Sequence, residues 1–349
     1  MYGMARVVIN GFGRIGRTFF RAAQGRKDFE IVAINDLGSL ENLAYLLKYD
    51  TVYGRAPFSV STENGALVVD GRHIDFVQEK ELAKLPWKDK NIDIVVESTG
   101  VFTDAAKARG HIDAGAKRVV ITAPLKGDPI REPSASNGAG GAETVLIGAN
   151  EEKLKACEIS SNASCTTNAA SPLIGILDEA IGIERAILST THGYTASQAL
   201  VDAPKSKDWR EGRAAAQNIV PTSTGAAKAT TLAHTQLAGK FDGISMRVPI
   251  AAGSLVDVTF VAKKPTSVEE VNAALKAAAQ SARWKRVFAV TEEPLVSSDI
   301  IGQPYGSIAD LEMTRVVDGT LVKVLAWYDN EMGYAFTLVE HVVEVAKHL

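Results

Sequence analysis

Cysteine is nearly absent: the 349 residues hold two, Cys157 and Cys165. Two thiols cannot form a disulfide framework and neither has zinc-finger spacing, so a stapled secreted scaffold and a structural zinc site are excluded. The expected compartment is a reducing cytoplasm, and no metal site is expected. Strong charge of either sign is missing too. A net charge of −3 gives no electrostatic case for a nucleic-acid or membrane surface. No apolar run approaches the ~20 residues that span a bilayer. The start shows no signal-peptide pattern, because the strand-like RVVIN begins at Arg6, with Met4 a candidate natural start. What is present is ordinary globular usage, 46% hydrophobic and 23% charged, at a length that fits two domains with a sizeable core.

The first half opens on a strand and a glycine loop. RVVINGFGRIGRTFFRAA places Gly11, Gly13 and Gly16 in G-x-G-x-x-G spacing. The spacing alone is a weak signal, and its context strengthens it. Val7, Val8 and Ile9 form the continuous apolar run of a strand covered on both faces, and Ile15, Phe19 and Ala22 recur at helical spacing. FEIVAIND is a second apolar strand that ends at Asp36, 20 residues beyond Gly16. This is a βαβ unit that binds a dinucleotide. Gly11 makes the tight turn, Gly13 admits the pyrophosphate to the backbone, and Gly16 allows close helix–strand packing. The free N–H groups of the helix start then hold the phosphates, and Asp36 accepts from the adenosine ribose hydroxyls.

Further strands continue the pattern at residues 92–97, 119–122 and 144–149 (TVLIGA), with the helix-like DAAKARGHIDAGA between the first two. Alternating strands and helices imply a parallel, doubly wound Rossmann sheet. Residues 127–143, rich in Gly, Pro, Ser and Ala, read as a mobile surface loop or a binding flap. After Gly182 the texture changes. LVDVTFVAKK alternates, TRVVDGTLVKVLAWY is two strands about an Asp318-Gly319 turn, and SVEEVNAALKAAAQ opens with a Ser267-to-Glu270 capping box. These features predict a second α+β domain with a mostly antiparallel sheet. The expected division is a dinucleotide-binding domain over residues 1–164, completed by a C-terminal helix at 330–349, and a catalytic domain over 165–329.

Cys165 falls at the junction, in SNASCTTN, ahead of a helix in which Pro172 is expected to produce a kink or a delayed start. A helix N-terminus favours a thiolate. A free thiol is only a few per cent ionised near neutral pH, so a base beside it helps. Of six histidines, His73, His111, His341 and His348 read as surface residues and His234 is ambiguous. His192, which ends a strand before a glycine in ILSTTHGYTASQ, is placed to enter a cleft. A thiol of this kind adds to an aldehyde, and the adduct can pass hydride to a nicotinamide and become a thioester.

SNASCTTN, HGYTASQ, NIVPTSTGAAKA, RVP and WYDNEMGY, with INGFGRIGR, AIND and LLKYD, closely resemble the phosphorylating glyceraldehyde-3-phosphate dehydrogenases over essentially the whole chain. The resemblance implies that Cys165 is the nucleophile and His192 its base. It implies NAD as cofactor, with Asn330 on the nicotinamide carboxamide, Ile15 and Tyr334 flanking the ring, and Arg14 by the pyrophosphate. It implies two anion sites, for glyceraldehyde 3-phosphate and for attacking inorganic phosphate, drawn from Thr195 and Arg247 and from Ser164, Thr166, Thr224 and Gly225. Read alone, Arg247 is a surface salt-bridge residue, and Thr195 and Thr224 are turn residues. The stretch from Tyr194 to Pro221 matches a loop that in this family reaches a neighbouring subunit, so a homotetramer is implied; either Arg210 or Arg213 is implied to touch phosphate. Three departures stand out: Ala169 replaces a common second cysteine, Met332 replaces a frequent tryptophan, and the 127–143 loop is long. Rival readings are erythrose-4-phosphate dehydrogenase, aspartate-semialdehyde dehydrogenase, and a regulator that binds NAD or RNA.

Asp36 generates a cofactor prediction. Its carboxylate suits two ribose hydroxyls and repels a 2′-phosphate, and neighbouring Leu37 offers no compensating donor. Kinetics with both cofactors are expected to give a kcat/KM for NAD well above that for NADP; equal values would overturn this role for Asp36.

Overall fold

The computed structural model describes residues 4–126 and 141–349, which separate into two compact units. Unit 1 comprises residues up to Val145, Asn150–Ala163 and Leu338–Leu349; unit 2 comprises Leu146–Ala149 and Ser164–Thr337. Most of the expected 127–143 loop lies outside the described residues.

In unit 1, β1 (Ala5–Asn10), α1 (Arg14–Ala22) and β2 (Phe29–Asn35) form the opening βαβ. α2 (Leu40–Lys48) and a small ribbon, β3 (Tyr49–Asp50) with β4 (Gly54–Arg55), follow. Then come β5 (Val60–Glu63), β6 (Ala66–Val69) and β7 (Arg72–Val77). β8 (Ile94–Glu97), α3 (Ala105–Ala108), α4 (Gly110–Asp113), β9 (Arg118–Ile121), β10 (Ala142–Thr144) and β11 (Ile159–Ser161) complete the sheet. The order is β10-β11-β9-β8-β1-β2-β7-β6-β5, parallel from β10 to β7 and antiparallel beyond. β1 is followed in the chain by its neighbour on one side, β2, and later by its neighbour on the other, β8. That reversal opens a crevice at the carboxyl ends of the strands.

Unit 2 is built on α5 (Cys165–Ala180), β12 (Ile183–Gly193), β13 (Val220–Ser223), α6 (Ala226–Ala233), β14 (Phe241–Val248) and β15 (Ser254–Ala262). α7 (Val268–Gln280), β16 (Phe288–Thr291), β17 (Ser307–Val317), β18 (Leu321–Tyr328) and α8 (Met332–Ala346) follow, the last of these ending among unit 1 residues. The sheet runs β13-β14-β12-β15-β18-β17-β16, antiparallel except for the β12–β14 and β16–β17 pairs. Its strands alternate as predicted: Val256, Val258 and Phe260 are buried beneath α5, whose Leu173, Ile174 and Leu177 are also fully covered. Asp318 and Gly319 both have positive φ, 49° and 68°, as a tight hairpin turn requires. Ser267 caps α7 through Glu270 N, while the Glu270 carboxylate accepts from Thr266 Oγ1, 2.9 Å away, instead of closing the expected box.

Several sequence expectations are corrected. TVLIGA is not one strand: β10 ends at Thr144, and Val145, Leu146 and Ile147 are buried without being strand. Gly148, with φ +83° and no room for a Cβ against Trp284, turns the chain away. DAAKARGHIDAGA is two single-turn helices. Pro172 lies inside α5 without delaying its start, which falls at Cys165. His111 and His341 are fully buried rather than superficial. Buried histidines need partners, and both have them. His341 bonds Ser160 Oγ at 2.8 Å and Asn162 Oδ1 at 3.1 Å, fixing the end of the chain to β11.

Burial holds the His341 imidazole at a pKa of about 3, against 6.5 for the free group. Between those values the unfolded chain binds the extra proton, so this histidine costs stability as pH falls below 6.5. The expected slope is up to about 1.4 kcal/mol per pH unit. His341→Gln should make the dependence of unfolding free energy on pH shallower between about pH 6 and 4. Urea titrations at fixed pH test this; a variant with the parental slope contradicts it.

Candidate active site

The crevice of unit 1 has a volume of about 690 Å³ and is lined by Gly11, Gly13, Asp36, Leu37, Thr99 and Phe102, among others. Each glycine has a distinct reason to be there. Gly11 has φ +94°, and a Cβ would lie 2.6 Å from Thr99 N. A Cβ on Gly16 would lie 2.2 Å from Gly11 O, so helix and turn touch. Gly13 faces open space and caps α1 with no side-chain partner. The helix start, with no acidic side chain in its first turn, therefore fits the diphosphate of a dinucleotide. Asp36 is held at the end of β2 by Phe12 N at 2.6 Å and Gly38 N at 2.8 Å, half-buried beside the crevice. Arg14 and Ile15 lie in the first turn of α1, with Ile15 half-buried. Arg14 pairs with Asp50 at 2.5 Å and lies 5.7 Å from the centre of the Tyr53 ring.

Beneath the crevice lies a polar floor that the sequence reading missed. Asn35 donates to Asn10 Oδ1 at 2.7 Å, and Asn10 donates to Glu97 Oε2. His111 Nε2 reaches the same carboxylate at 3.0 Å, while its Nδ1 accepts from Trp87 Nε1 at 3.0 Å. The indole can only donate, so the ring proton is assigned to Nε2. The available signal was that β1, β2 and β8, mostly apolar, each end on an amide or a carboxylate.

In unit 2, Cys165 is the first residue of α5 and partly exposed; Ser164 caps the helix through Thr167 N at 3.1 Å. Its sulfur lies 3.3 Å from His192 Nε2. The β12–β14 register sets His192 beside Arg247, and Arg247 Nη1 lies 2.5 Å from His192 Nδ1. Tyr328 buttresses this group: its hydroxyl bridges Thr166 Oγ1 at 2.9 Å and Thr190 Oγ1 at 2.8 Å, and its ring meets His192 edge-on at 5.9 Å. A buried tyrosine in the inward register of β18 implies an internal partner, which was the missed signal. Thr224 accepts from Ala226 N at 3.2 Å, and Gly225 caps α6. Thr195 follows β12 and bonds Ser197 and Gln198, not Arg247. Asn330 Oδ1 accepts from Ser254 Oγ at 2.9 Å, and Tyr334 is buried in the first turn of α8.

Opposing influences act on the thiol. Burial pushes the Cys165 thiol above its ordinary value despite the opposing pull of Arg247 and the helix start. Burial, then Arg247, holds His192 down at about 3. Cys157, pushed up to about 11 by burial, is inert by comparison.

Comparison with known proteins identifies the family. Residues 5–105 match the family model described as the glyceraldehyde 3-phosphate dehydrogenase NAD binding domain, and residues 164–330 match the corresponding C-terminal domain. The chain belongs to the glyceraldehyde 3-phosphate dehydrogenase family. It is similar to the curated glyceraldehyde-3-phosphate dehydrogenase of Mycobacterium avium, at 49% identity, and to that of Mycobacterium tuberculosis, at 48%. It is also 47% identical to glyceraldehyde-3-phosphate dehydrogenase 2 of Streptomyces avermitilis; each comparison covers 99% of both chains. Membership makes the chain an NAD-dependent oxidoreductase, with a doubly wound first unit and a mixed sheet in the second. Among the described residues, no helix is long and apolar enough to cross a membrane, and no cluster of side chains could hold a metal ion.

Tyr328→Phe removes one partner of the Thr166 hydroxyl, which also hydrogen-bonds the Cys165 thiol, while Thr190 keeps Leu255 O at 3.2 Å. The expected loss is about 1–3 kcal/mol of unfolding free energy. Adding Thr166→Val should recover part of it, since the under-satisfied hydroxyl is then gone. Urea unfolding of both variants decides; a Tyr328→Phe protein as stable as the parent shows the bridge to be idle.

Proposed function

We propose that the chain oxidises D-glyceraldehyde 3-phosphate to 1,3-bisphosphoglycerate, and that the contact between Cys165 and His192 carries the chemistry. The Cys165 sulfur attacks the aldehyde carbon as His192 Nε2 accepts the thiol proton, and the ring passes that proton to the alkoxide, giving a hemithioacetal. The Cys165 N–H and the imidazole stabilise the developing oxyanion. His192 then takes the hydroxyl proton as hydride departs, leaving a thioester on the sulfur. Bound NAD supplies the hydride acceptor. Inorganic phosphate attacks the thioester carbonyl, the acyl phosphate leaves, and the thiolate regains a proton.

The residues proposed to hold NAD are Gly11, Gly13, Arg14, Ile15, Gly16 and Asp36 in unit 1 and Asn330 and Tyr334 in unit 2. The fixed carboxylate of Asp36 and the pinned carbonyl of Asn330 support this, since each side chain is oriented before any ligand arrives. The two phosphates are assigned to Thr195 with Arg247 and to Ser164, Thr166, Thr224 and Gly225. The buried, unpartnered Nε of Arg247 supports an anion there. Thr166 would contribute mainly through its backbone, because its hydroxyl is engaged with Tyr328. A homotetramer is part of the proposal, supported by Leu200, Val201, Trp209 and Ile219, which are large, apolar and 69–83% exposed within one loop segment. The proposed compartment is the cytoplasm, in keeping with two free cysteines.

NADH formation from glyceraldehyde 3-phosphate is expected to depend strictly on inorganic phosphate, and Cys165→Ser is expected to abolish it while NAD still binds. Phosphate-independent turnover releasing a carboxylic acid would favour the erythrose-4-phosphate dehydrogenase reading. Near-normal activity of Cys165→Ser would end the covalent mechanism.

A further inference from the structure

The polar floor of the first unit is one continuous chain of hydrogen bonds with a single allowed direction. At one end the Trp87 indole can only donate, so His111 Nδ1 accepts from it at 3.0 Å and Nε2–H donates to the Glu97 carboxylate at 3.0 Å. That carboxylate also accepts from Asn10 Nδ2, which leaves Asn10 Oδ1 to accept from Asn35 Nδ2 at 2.7 Å. At the other end Asn35 is clamped to the backbone of Glu79: its Nδ2 donates to Glu79 O at 2.9 Å, and its Oδ1 accepts from Glu79 N at 2.9 Å. Neither amide can flip without setting donor against donor or acceptor against acceptor. Trp87, His111, Glu97 and Asn10 are each no more than 2% exposed, so no solvent competes for these bonds.

The chain reaches both walls of the crevice. On one side the second oxygen of Glu97 accepts from Thr99 N at 2.9 Å and from the Thr99 hydroxyl, whose oxygen in turn accepts from Val101 N at 3.0 Å. Phe102 meets the His111 ring edge-on at 6.1 Å. On the other side Glu79 is held by Asn35. Thr99, Val101, Phe102 and Glu79 all line the crevice, whereas Glu97, His111 and Trp87 do not. Residues 99–102 and 78–80 lie outside any strand or helix, so side chains rather than a ladder hold their shape.

We propose that this chain positions NAD from beneath: by fixing both walls of the crevice before the cofactor arrives, Glu97 and His111 set its affinity without touching it. The inference rests on the placement of NAD in this crevice and deepens it, adding positioning residues to those that contact the cofactor. A wall that had to be ordered on binding would lower the affinity, and a wall already fixed does not. Glu97 is the centre of the device, because a carboxylate has about four acceptor positions and four donors fill them here. A glutamine in its place turns an NH2 group towards two of those donors. Facing Thr99 it releases the wall, and facing Asn10 and His111 it breaks the chain.

Calorimetric titration with NAD, beside steady-state kinetics at saturating NAD, tests this. Glu97→Gln and His111→Leu are expected to raise the Kd for NAD by about 10- to 100-fold, the range set by a lost hydrogen bond to a charged group. His111→Gln, which can still donate to Glu97, should stay nearer the parent. The kcat and the KM for glyceraldehyde 3-phosphate should not change in any of them. A merely structural network would lower the unfolding free energy of the variants and leave the Kd of the folded protein alone; that result overturns the proposal, as does an equal loss of affinity for NAD and for the aldehyde. Amide hydrogen exchange of the NAD-free parent decides the matter even if the variants fail to fold. The Thr99 and Glu79 amides should already be protected, and free exchange at both that slows only when NAD is added overturns the proposal. Asp36→Ala separates the two readings. NAD affinity unmoved by Asp36→Ala would remove the cofactor from this crevice, whereas affinity lost in Asp36→Ala but kept in Glu97→Gln removes the positioning role alone.

Discussion

A sulfur and an imidazole nitrogen held 3.3 Å apart are the contact around which the second unit is organised. Neither partner could be placed by local sequence alone. Cys165 is positioned by the Ser164 cap and the length of α5, which is anchored in the core by its apolar face. His192 is positioned by β12, whose parallel register with β14 and antiparallel register with β15 prevent it from sliding by a residue. A one-residue slip would turn His192 to the other face of the sheet, away from the sulfur. Tyr328 links the two supports, reaching Thr166 on the helix and Thr190 on the strand through one hydroxyl.

The first unit obeys a different constraint, the close approach of a helix to the turn that precedes it. Gly11 and Gly16 leave no space for a side chain, and Gly13 leaves its space open. Beneath them, mostly apolar strands end in Asn10, Asn35 and Glu97, so the crevice floor is a hydrogen-bonded sheet of amide and carboxylate groups rather than a greasy one. Such a network is rigid when every member is satisfied. His111 and Trp87 complete it from behind.

The legible parts of this molecule were those encoded over short stretches of chain. The glycine turn, the alternation in β15, the Asp318-Gly319 hairpin and the helix after Cys165 each follow from a few neighbouring residues. The buried histidines were not legible because their partners are remote. His111 answers to Glu97 and Trp87, and His341 to Ser160 and Asn162, at separations that no local period records. The 144–149 run was misread because a covered apolar segment looks the same whether it bonds to a sheet or only packs. The thiol was half legible for a related reason: the helix start is visible in sequence, whereas the burial that opposes it is assembled from distant elements.

The position one helical turn beyond Cys165 has a consequence for oxidative damage. Ala169 stands there, fully buried and without sulfur, and the second thiol of the chain, Cys157, is buried with its pKa raised to about 11. A sulfenic acid formed on Cys165 has no neighbour on its own helix with which to close a disulfide, and Cys157 is too weakly ionised to serve as a resolving nucleophile. Small thiols from solution are then its route back to the free thiol, and where they are scarce the sulfur proceeds to sulfinic and sulfonic acids, which reducing thiols do not reverse.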